Sequence, residues 1–467
     1  MNKTVYILIF ILWMFAHQIW AQQNYVVESL SFNTDFTNNI FAIPYEDGLI
    51  YSSDRRTHVL VSRVDSANHS LFHLFFAIRK DSAKWGVPQL LTKNIPINAH
   101  QGPFSISADG KEFFFSLNDE MGQRIYSASK SGSDWGNIRP FVHNRPNYTT
   151  THPSLSRDGK RLFFASDIPG GYGGFDIYVC ERTLTGWSAP KNLGPTINTS
   201  ENELFPFIQE NGELFFSSTG HGSMGGMDIF SVREIDGVWG MLHQLEAPIN
   251  STADDITYTA ADAEGTIGYF ASNRSGKSFD IYSFKSLFPV FNDCREQEEN
   301  EYGVYEFSEM TVMGMDTATL RLEWDLGDGT IKYGDVVEHT YPSTGHYVIQ
   351  LNVLDTLTNE ISQNVAHYLL DVLDIEQPYI TTSEIIQAGI TVTFDALKTN
   401  LPDLEIEEYF WIFGDGIRTR GERVEHVYAV PGVYKVQLGV IGKSKYTGDQ
   451  MRFCSYLEIT VQPSDTP

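Results

Sequence analysis

Cysteine is scarce in this chain. Only three occur in 467 residues, Cys180, Cys294 and Cys454, too few for a disulfide framework. No CxxC pair or Cys/His cluster suggests a zinc site. Basic charge is short as well: 33 Lys and Arg face 59 Asp and Glu, a net charge of −26. Phosphate contacts need Lys and Arg, so an acidic chain with no basic stripe excludes nucleic acid as a partner. From Ser286 onward the imbalance steepens, with 11 Lys and Arg against 30 Asp and Glu. Such acidity suits a solvated surface, or a face for a cation or a basic partner.

Long apolar runs are also missing beyond the start, so no transmembrane segment is expected in the mature chain. The start itself, "MNKTVYILIFILWMFAHQIWAQQ", has Lys3, an apolar run from Val5 to Ala16 and a small residue at Ala21. It reads as a secretory signal peptide over residues 1–21. The apolar core is short beside the roughly 20 residues of a membrane span. No cysteine follows the expected cut, so a lipoprotein anchor is not indicated. Export is the expectation. Cys180, inside "FDIYVC", reads as a small core residue, whereas Cys294 and Cys454 could pair only if two domains met there.

Glycine is plentiful in two places. "STGHGSMGGMDIF" puts Gly220, Gly222 and Gly225 at the GxGxxG spacing of nucleotide-binding loops. That spacing holds a pyrophosphate only where a helix follows, and here "MDIFSV" is another short β-rich run. Repetition explains the glycines instead. Trp85, Trp135, Trp187 and Trp239 recur at spacings of 50, 52 and 52. Between them the chain repeats a short apolar run, a turn ending in Gly110, Gly159, Gly212 or Gly265, and an aromatic strand such as "RLFFAS" or "ELFFSS". A variable loop then leads to "RIYSAS", "FDIYVC", "MDIFSV" or "FDIYSF". A more divergent copy precedes these, making five.

Three strands and a Trp-bearing fourth element cannot bury both sheet faces alone, and radial stacking into a β-propeller can. The fifth copy lacks its Trp element, so "YVVESLSF" near the mature N-terminus is expected to complete that sheet. The glycine-rich loops fall between second and third strands, where glycine supplies positive-φ turns. Asp176, Asp228 and Asp280, each before Ile-Tyr or Ile-Phe, read as acceptors capping those turns.

"HPSLSRDGKRLFFASDIPGGYGGFDIYVCER" and its cousin from Phe205 resemble the TolB-type, WD-repeat-like propeller repeats of bacterial envelope proteins. In Gram-negative relatives such repeats often precede a peptidoglycan-binding OmpA-like domain, and some belong to type IX secretion and gliding machinery. No OmpA-like domain occurs before Pro467, so peptidoglycan anchoring is not expected.

The acidic part is a tandem. "LEWDLGDGTIKYGDVVEHTYPSTGHYVIQLNV" from Leu322 aligns without a gap with "YFWIFGDGIRTRGERVEHVYAVPGVYKVQLGV" from Tyr409. Trp324 matches Trp411, Asp328 matches Asp415, His339 matches His426 and Tyr347 matches Tyr434, at a constant offset of 87. The pattern resembles the PKD domain, an immunoglobulin-like extracellular module in which these residues are mainly structural. The resemblance implies a core tryptophan, a turn made by Gly327 and Gly329 and capped by Asp328, and histidines held by structural hydrogen bonds. Asp325, Asp328 and Asp335 could collect Ca²⁺, but the second copy has Ile412 and Glu422 at the first and last positions. No cofactor is expected.

The expected fold is all-β, a five-bladed β-propeller over residues 22–287 followed by two immunoglobulin-like (PKD) β-sandwiches at 288–374 and 375–463. No enzyme is expected. The sialidase box S-x-D-x-G-x-T-W is absent from "SRDGKRLFF", and the nearest approach to a GxSxG elbow is "HGSMG" from His221. Two-carboxylate glycosidase chemistry on the central channel stays open. The favoured reading is an exported, non-catalytic interaction protein of a Gram-negative envelope, periplasmic or at the surface and associated with the outer membrane. Its partner would be an envelope protein, met by loops at Asp119 to Arg124 and His221 to Met224. The alternative is a carbohydrate-binding or glycan-degrading surface propeller.

Overall fold

A computed structural model describes residues 24–464, apart from 57–63, 65–69, 82–83, 92–93, 97–98, 121, 133, 236, 300–303 and 309–318. The expected signal peptide lies outside the described residues. Among them, no helix is long and apolar enough to cross a membrane. The chain divides after Val290 into two compact units.

Among the described residues, the first unit holds five antiparallel sheets. Their innermost strands are Asn39–Tyr45, Gln101–Ile106, Thr150–Leu155, Glu203–Ile208 and Asp255–Ala260. The strand opening the third sheet touches those of the second and fourth, and the strand of the fifth returns to that of the first. The ring so formed is a β-propeller. Its sequence logic lies in the doubled aromatics of the second strands. Successive side chains point to opposite faces, so Phe163 enters the layer shared with the fourth sheet and Phe164 the layer shared with the second. Phe215 and Phe216 likewise split between the fifth and third sheets. Each sheet is apolar on both faces because each has two neighbours.

The tryptophans sit in these layers. Trp135 is buried, its ring 5.0 Å from Phe113. Trp187 meets the edge of Phe114 at 6.0 Å and Trp239 that of Phe163 at 6.5 Å, each on the preceding sheet. Trp85 lies beside Phe32 and Tyr269. Arg79, Lys130 and Arg182 place their cations over Trp85, Trp135 and Trp187, an attraction of about 0.5–1 kcal/mol where exposed. Opposite Trp239 stands Glu234, which instead pairs with Arg161 at 2.5 Å.

The fifth sheet takes its outer strand from the other end of the unit. Tyr25–Ser29 runs antiparallel to Tyr282–Ser286, and Tyr25 packs edge-on to Phe284 at 6.0 Å. It supplies what the Trp element supplies elsewhere.

Every innermost strand carries a β-bulge at one repeat position, between Ile40 and Ile43, Gln101 and Phe104, Thr151 and Ser154, Leu204 and Phe207, and Ile256 and Thr259. Phe41, His152, Phe205 and Thr257 there adopt φ of 54–62°, uncommon for residues with a Cβ. The amides that the bulge withdraws from the ladder bond across to the preceding sheet. Phe41 N–H donates to Thr257 Oγ1, His152 N–H to Ser116 Oγ and Phe205 N–H to His152 Nδ1, at 3.0–3.3 Å.

In the second unit, one sandwich sets Ile331–Tyr333, Leu320–Asp325, Gly345–Asp355 and Ile361–Val372 against the pair Val304–Ser308 and Val336–Thr340. The other sets Arg418–Arg420, Leu404–Ile412, Gly432–Ser444 and Gln450–Gln462 against Thr391–Asp395 and Arg423–Val427. Its last strand gains Arg295–Glu296, pairing parallel with Ser455 and Tyr456. The sequence reading put these residues with the first sandwich. Phe291 packs on Phe410 in the second, Gln297 exchanges hydrogen bonds with the Ile380 backbone, and Cys294 is disulfide-bonded to Cys454. The pair therefore closes within one sandwich rather than between two.

Removing residues 22–33 should leave Tyr282–Ser286 as an unpaired edge and the fifth layer open. Size-exclusion chromatography of that variant is expected to show aggregation, where the intact chain elutes as a discrete species.

Candidate functional site

At one end of the propeller, the third, fourth and fifth sheets are each tied to the next by hydrogen bonds between loops. In the third sheet, Phe175 N–H donates to Asn202 Oδ1 at 3.1 Å and its carbonyl accepts from Glu203 N–H at 2.7 Å. Asn202 in turn bonds Thr219 of the fourth sheet. The same links run from Met227 to Asp254 and Asn273, and from Phe279 to Asn38 and Asp54. The last of these closes the ring.

The recurring aspartates hold the loops that make these joints. Asp176 is buried and accepts from Tyr172 N–H at 2.6 Å, Gly173 N–H at 3.1 Å and Asn192 Nδ2 at 2.7 Å. Asp228 accepts from Met224 N–H and, at 2.7 Å, from Gln244 Nε2. Asp280 stands on a shorter loop, where burial pushes its carboxyl pKa up against an opposing hydrogen bond from Ser275.

Positive φ accounts for few of the glycines. Gly170 and Gly222 are left-handed, at 93° and 75°. Gly173, Gly174, Gly225 and Gly226 are not, and a Cβ on any of them would strike the neighbouring loop at Thr199–Asn202 or Ser251–Asp254. Close backbone approach between sheets is what excludes side chains there. That corrects the expectation of positive φ throughout.

A set of asparagines escaped the sequence reading. Asn250 Oδ1 accepts from Ile229 N–H, while its Nδ2 donates to Ile229 O and Leu245 O, all at 2.8 Å. Asn198 does the same for Ile177, and Asn33 for Ile281. Each grips the residue following a recurring aspartate. The signal was present: Asn198 and Asn250 are 52 apart, in "INTSENE" and "INSTADD".

Of the anticipated contact residues, Met224 is half exposed, whereas His221 is partly buried and bonds Ile197 O at 2.9 Å. Asp119 accepts from Tyr126 Oη at 2.8 Å, in a tight hairpin between Glu112–Asp119 and Gly122–Ser131. Arg124 is 1% exposed. Its placement on an open contact loop is therefore corrected: it lies within the strand Gly122–Ser131, opposite Leu117, with its side chain on the buried face. Two unanticipated side chains are open at this end, Tyr172 at 51% and Phe36 at 93%. Tyr172 precedes Met224 by 52 positions and occupies the equivalent place. Phe36 lies one residue from Asp35, which pairs with Lys277.

At the opposite end, turns from all five sheets surround a cavity of about 860 Å³. Its walls include Phe104, Ile106, Leu155 and Phe207, and its rim carries Asp109, Glu46 and Glu210. Those acids pair with Lys111, Lys130 and Arg157 at 3.1–3.5 Å. Hydrogen bonds from Ser107 and Lys111 hold the Asp109 carboxyl down at about 2. Deeper in the propeller, His152 is stacked on Phe205 at 4.0 Å, and burial drives its imidazole pKa down to about 3.

In the sandwiches, Trp324 and Trp411 are buried and donate from Nε1 to Gly334 O at 2.9 Å and Gly421 O at 2.7 Å. Asp328 accepts from Thr330 N–H and meets His339 Nε2 at 2.8 Å. Burial would raise its pKa, but those hydrogen bonds outweigh it and hold the carboxyl below its usual value. Asp415 caps the matching turn through Ile417 N–H, while His426 lies flat on Phe413 at 4.0 Å. Asp325 accepts from Gly327 N–H.

Residues 305–365 and 376–452 match family models described as PKD domain. Among solved structures, a TolB-type protein of Agrobacterium tumefaciens is similar at 13% identity and a TM-score of 0.34, covering 74% of this chain and 90% of that one. TolB of Acinetobacter baumannii matches at 10% and 0.31, covering 97% and 85%. A gluconolactonase of Xanthomonas campestris matches at 12% and 0.32, covering 54% and 73%. At these identities no activity passes from those proteins to this chain. The propeller is joined to two PKD domains.

Two outcomes follow. Asn250→Ala leaves buried backbone groups of Ile229 and Leu245 without partners and should cost about 2 kcal/mol or more, read as a lower urea midpoint. His152 stays neutral when folded, whereas its unfolded imidazole protonates below about pH 6.5. The unfolded state then binds more protons, so stability should fall as pH drops from about 6.5 to about 3. His152→Asn, which tolerates the positive φ, should flatten that part of the profile.

Proposed function

We propose that the chain is an exported, non-catalytic interaction protein of a Gram-negative cell envelope, associated with the outer membrane. Its propeller meets a protein partner through the loop end bearing Phe36, Tyr172 and Met224. The observation that carries this reading is their exposure on successive loops of a surface whose other repeated residues are held by structural bonds. Large apolar side chains open to water on rigid loops are what binding hot spots are made of. The PKD domains, an extracellular type of module, suit an exported chain and act as a spacer or second contact surface. Membership of a type IX secretion assembly belongs to the same reading.

The test is affinity capture from detergent-solubilised envelopes with the wild-type chain and with Phe36→Ser, Tyr172→Ser and Met224→Ser combined. An envelope protein recovered by the wild type should be lost from the variant while thermal unfolding is unchanged. Equal recovery by both would refute the contact surface. Hydrolysis of a glycan or peptide, abolished by changing one propeller carboxylate, would refute the non-catalytic part.

A further inference from the structure

The last strand of the second sandwich, Gln450–Gln462, has an outer edge that is covered twice. Arg295–Glu296 pairs parallel with Ser455–Tyr456, and Ile386–Gln387 pairs parallel with Val461–Gln462. Beyond these pairs, Tyr456 O accepts from Gln297 N–H at 2.7 Å and Gln462 O from Ala388 N–H at 2.9 Å. Residues 456 and 462 share a parity, so the alternation of a regular strand turns the N–H and C=O of Glu458 and Thr460 to that same edge. Between the two short strands, among the described residues, lies a gap in the ladder. At about 3.3 Å per residue, residues 457–460 span about 13 Å of it.

The gap opens into a cavity of about 520 Å³, lined by Leu457, Glu458, Ile459 and Thr460 on one side and by residues 379–384 on the other. Thr381 Oγ1 on the far wall is enclosed and has no hydrogen-bond partner among the described residues. Glu299, Glu384 and Glu458 border the cavity against one cation, Lys398, which lies over the Tyr379 ring at 5.4 Å. We propose that this slot binds a short extended segment of a partner protein, running parallel to Gln450–Gln462, with Lys or Arg side chains facing the three glutamates. The occupant completes the ladder between the two short strands, and its charge complements a region of 11 Lys and Arg against 30 Asp and Glu. This site lies in the second sandwich and stands or falls apart from the propeller loops.

The probe is a blocked, fluorescein-labelled pentapeptide, Thr-Lys-Val-Arg-Thr, titrated against the full chain by fluorescence polarisation. Saturable binding is expected, weakened at least tenfold by Glu458→Lys and by replacing the peptide's Lys and Arg with Glu. N-methylation of the central peptide amides should abolish it. Thr460→Pro removes one outward N–H from an edge where proline is tolerated, and should also weaken binding at least tenfold. If that variant unfolds, Glu458→Lys on an exposed side chain keeps the comparison. No saturable binding, equal binding of the Glu-substituted peptide, or wild-type affinity in folded variants overturns the proposal. So does slow exchange of the Glu458 and Thr460 amides in the free chain, which would mean that residues 300–303 or another segment already cover the edge.

Discussion

The joint between each hairpin loop and the entry to the next sheet is the constraint on which the propeller depends. Apolar faces hold neighbouring sheets together, but the hydrophobic effect has no direction and would tolerate sliding. The exchange between Phe175 and the Asn202–Glu203 backbone has direction, and so do its counterparts at Met227 and Phe279. Each fixes one sheet against the next at a single register. Because Phe279 joins to Asn38 and Asn39 near the N-terminal end, the same bond type that spaces the sheets also closes the ring. Glycines 173, 174, 225 and 226 follow from that joint, since two backbones cannot approach so closely around a side chain.

Much of this was legible in the sequence because it recurs. Trp187 and Trp239, Asp176, Asp228 and Asp280 each repeat at 52 residues, and a repeated fold needs them in every copy. The doubled aromatics could be read as strands buried on both faces for the same reason. What was not legible is contact between copies. The reason for the glycines lies in the neighbouring loop, which a local pattern does not show. Arg124 looked like a loop residue, yet it belongs to a strand, opposite Leu117, and lies inside. Cys294 and Cys454 meet because residues 291–299 join a sandwich whose remaining strands begin some ninety residues later, a topology that no spacing announces.

The two PKD domains show how one motif keeps its frame while its details change. Both tryptophans donate to the glycine carbonyl ten residues on. The residues beside the paired histidines differ. In the first copy the residue after the strand is Leu326, and His339 turns to Asp328. In the second it is Phe413, whose ring offers a flat apolar surface on which His426 stacks. In both copies the aspartate caps its turn. Identity of residue type at these repeat positions goes with a shared turn and a shared tryptophan bond.

The same separation bears on where function can reside. Residues that recur from sheet to sheet are committed to holding sheets together: the aspartates to their loops, the asparagines to the adjoining strand, the bulge amides to the sheet before. A side chain free to recognise something else must stand where the repeats let it project, and position 52 residues apart gives both Tyr172 and Met224 that freedom with different chemistry at each. Side-chain chemistry varies on a surface whose geometry does not. In the second sandwich the edge of the last strand is covered at two points and, among the described residues, open between them. In both units the hydrogen bonds that fix the backbone also determine which groups remain exposed to solvent.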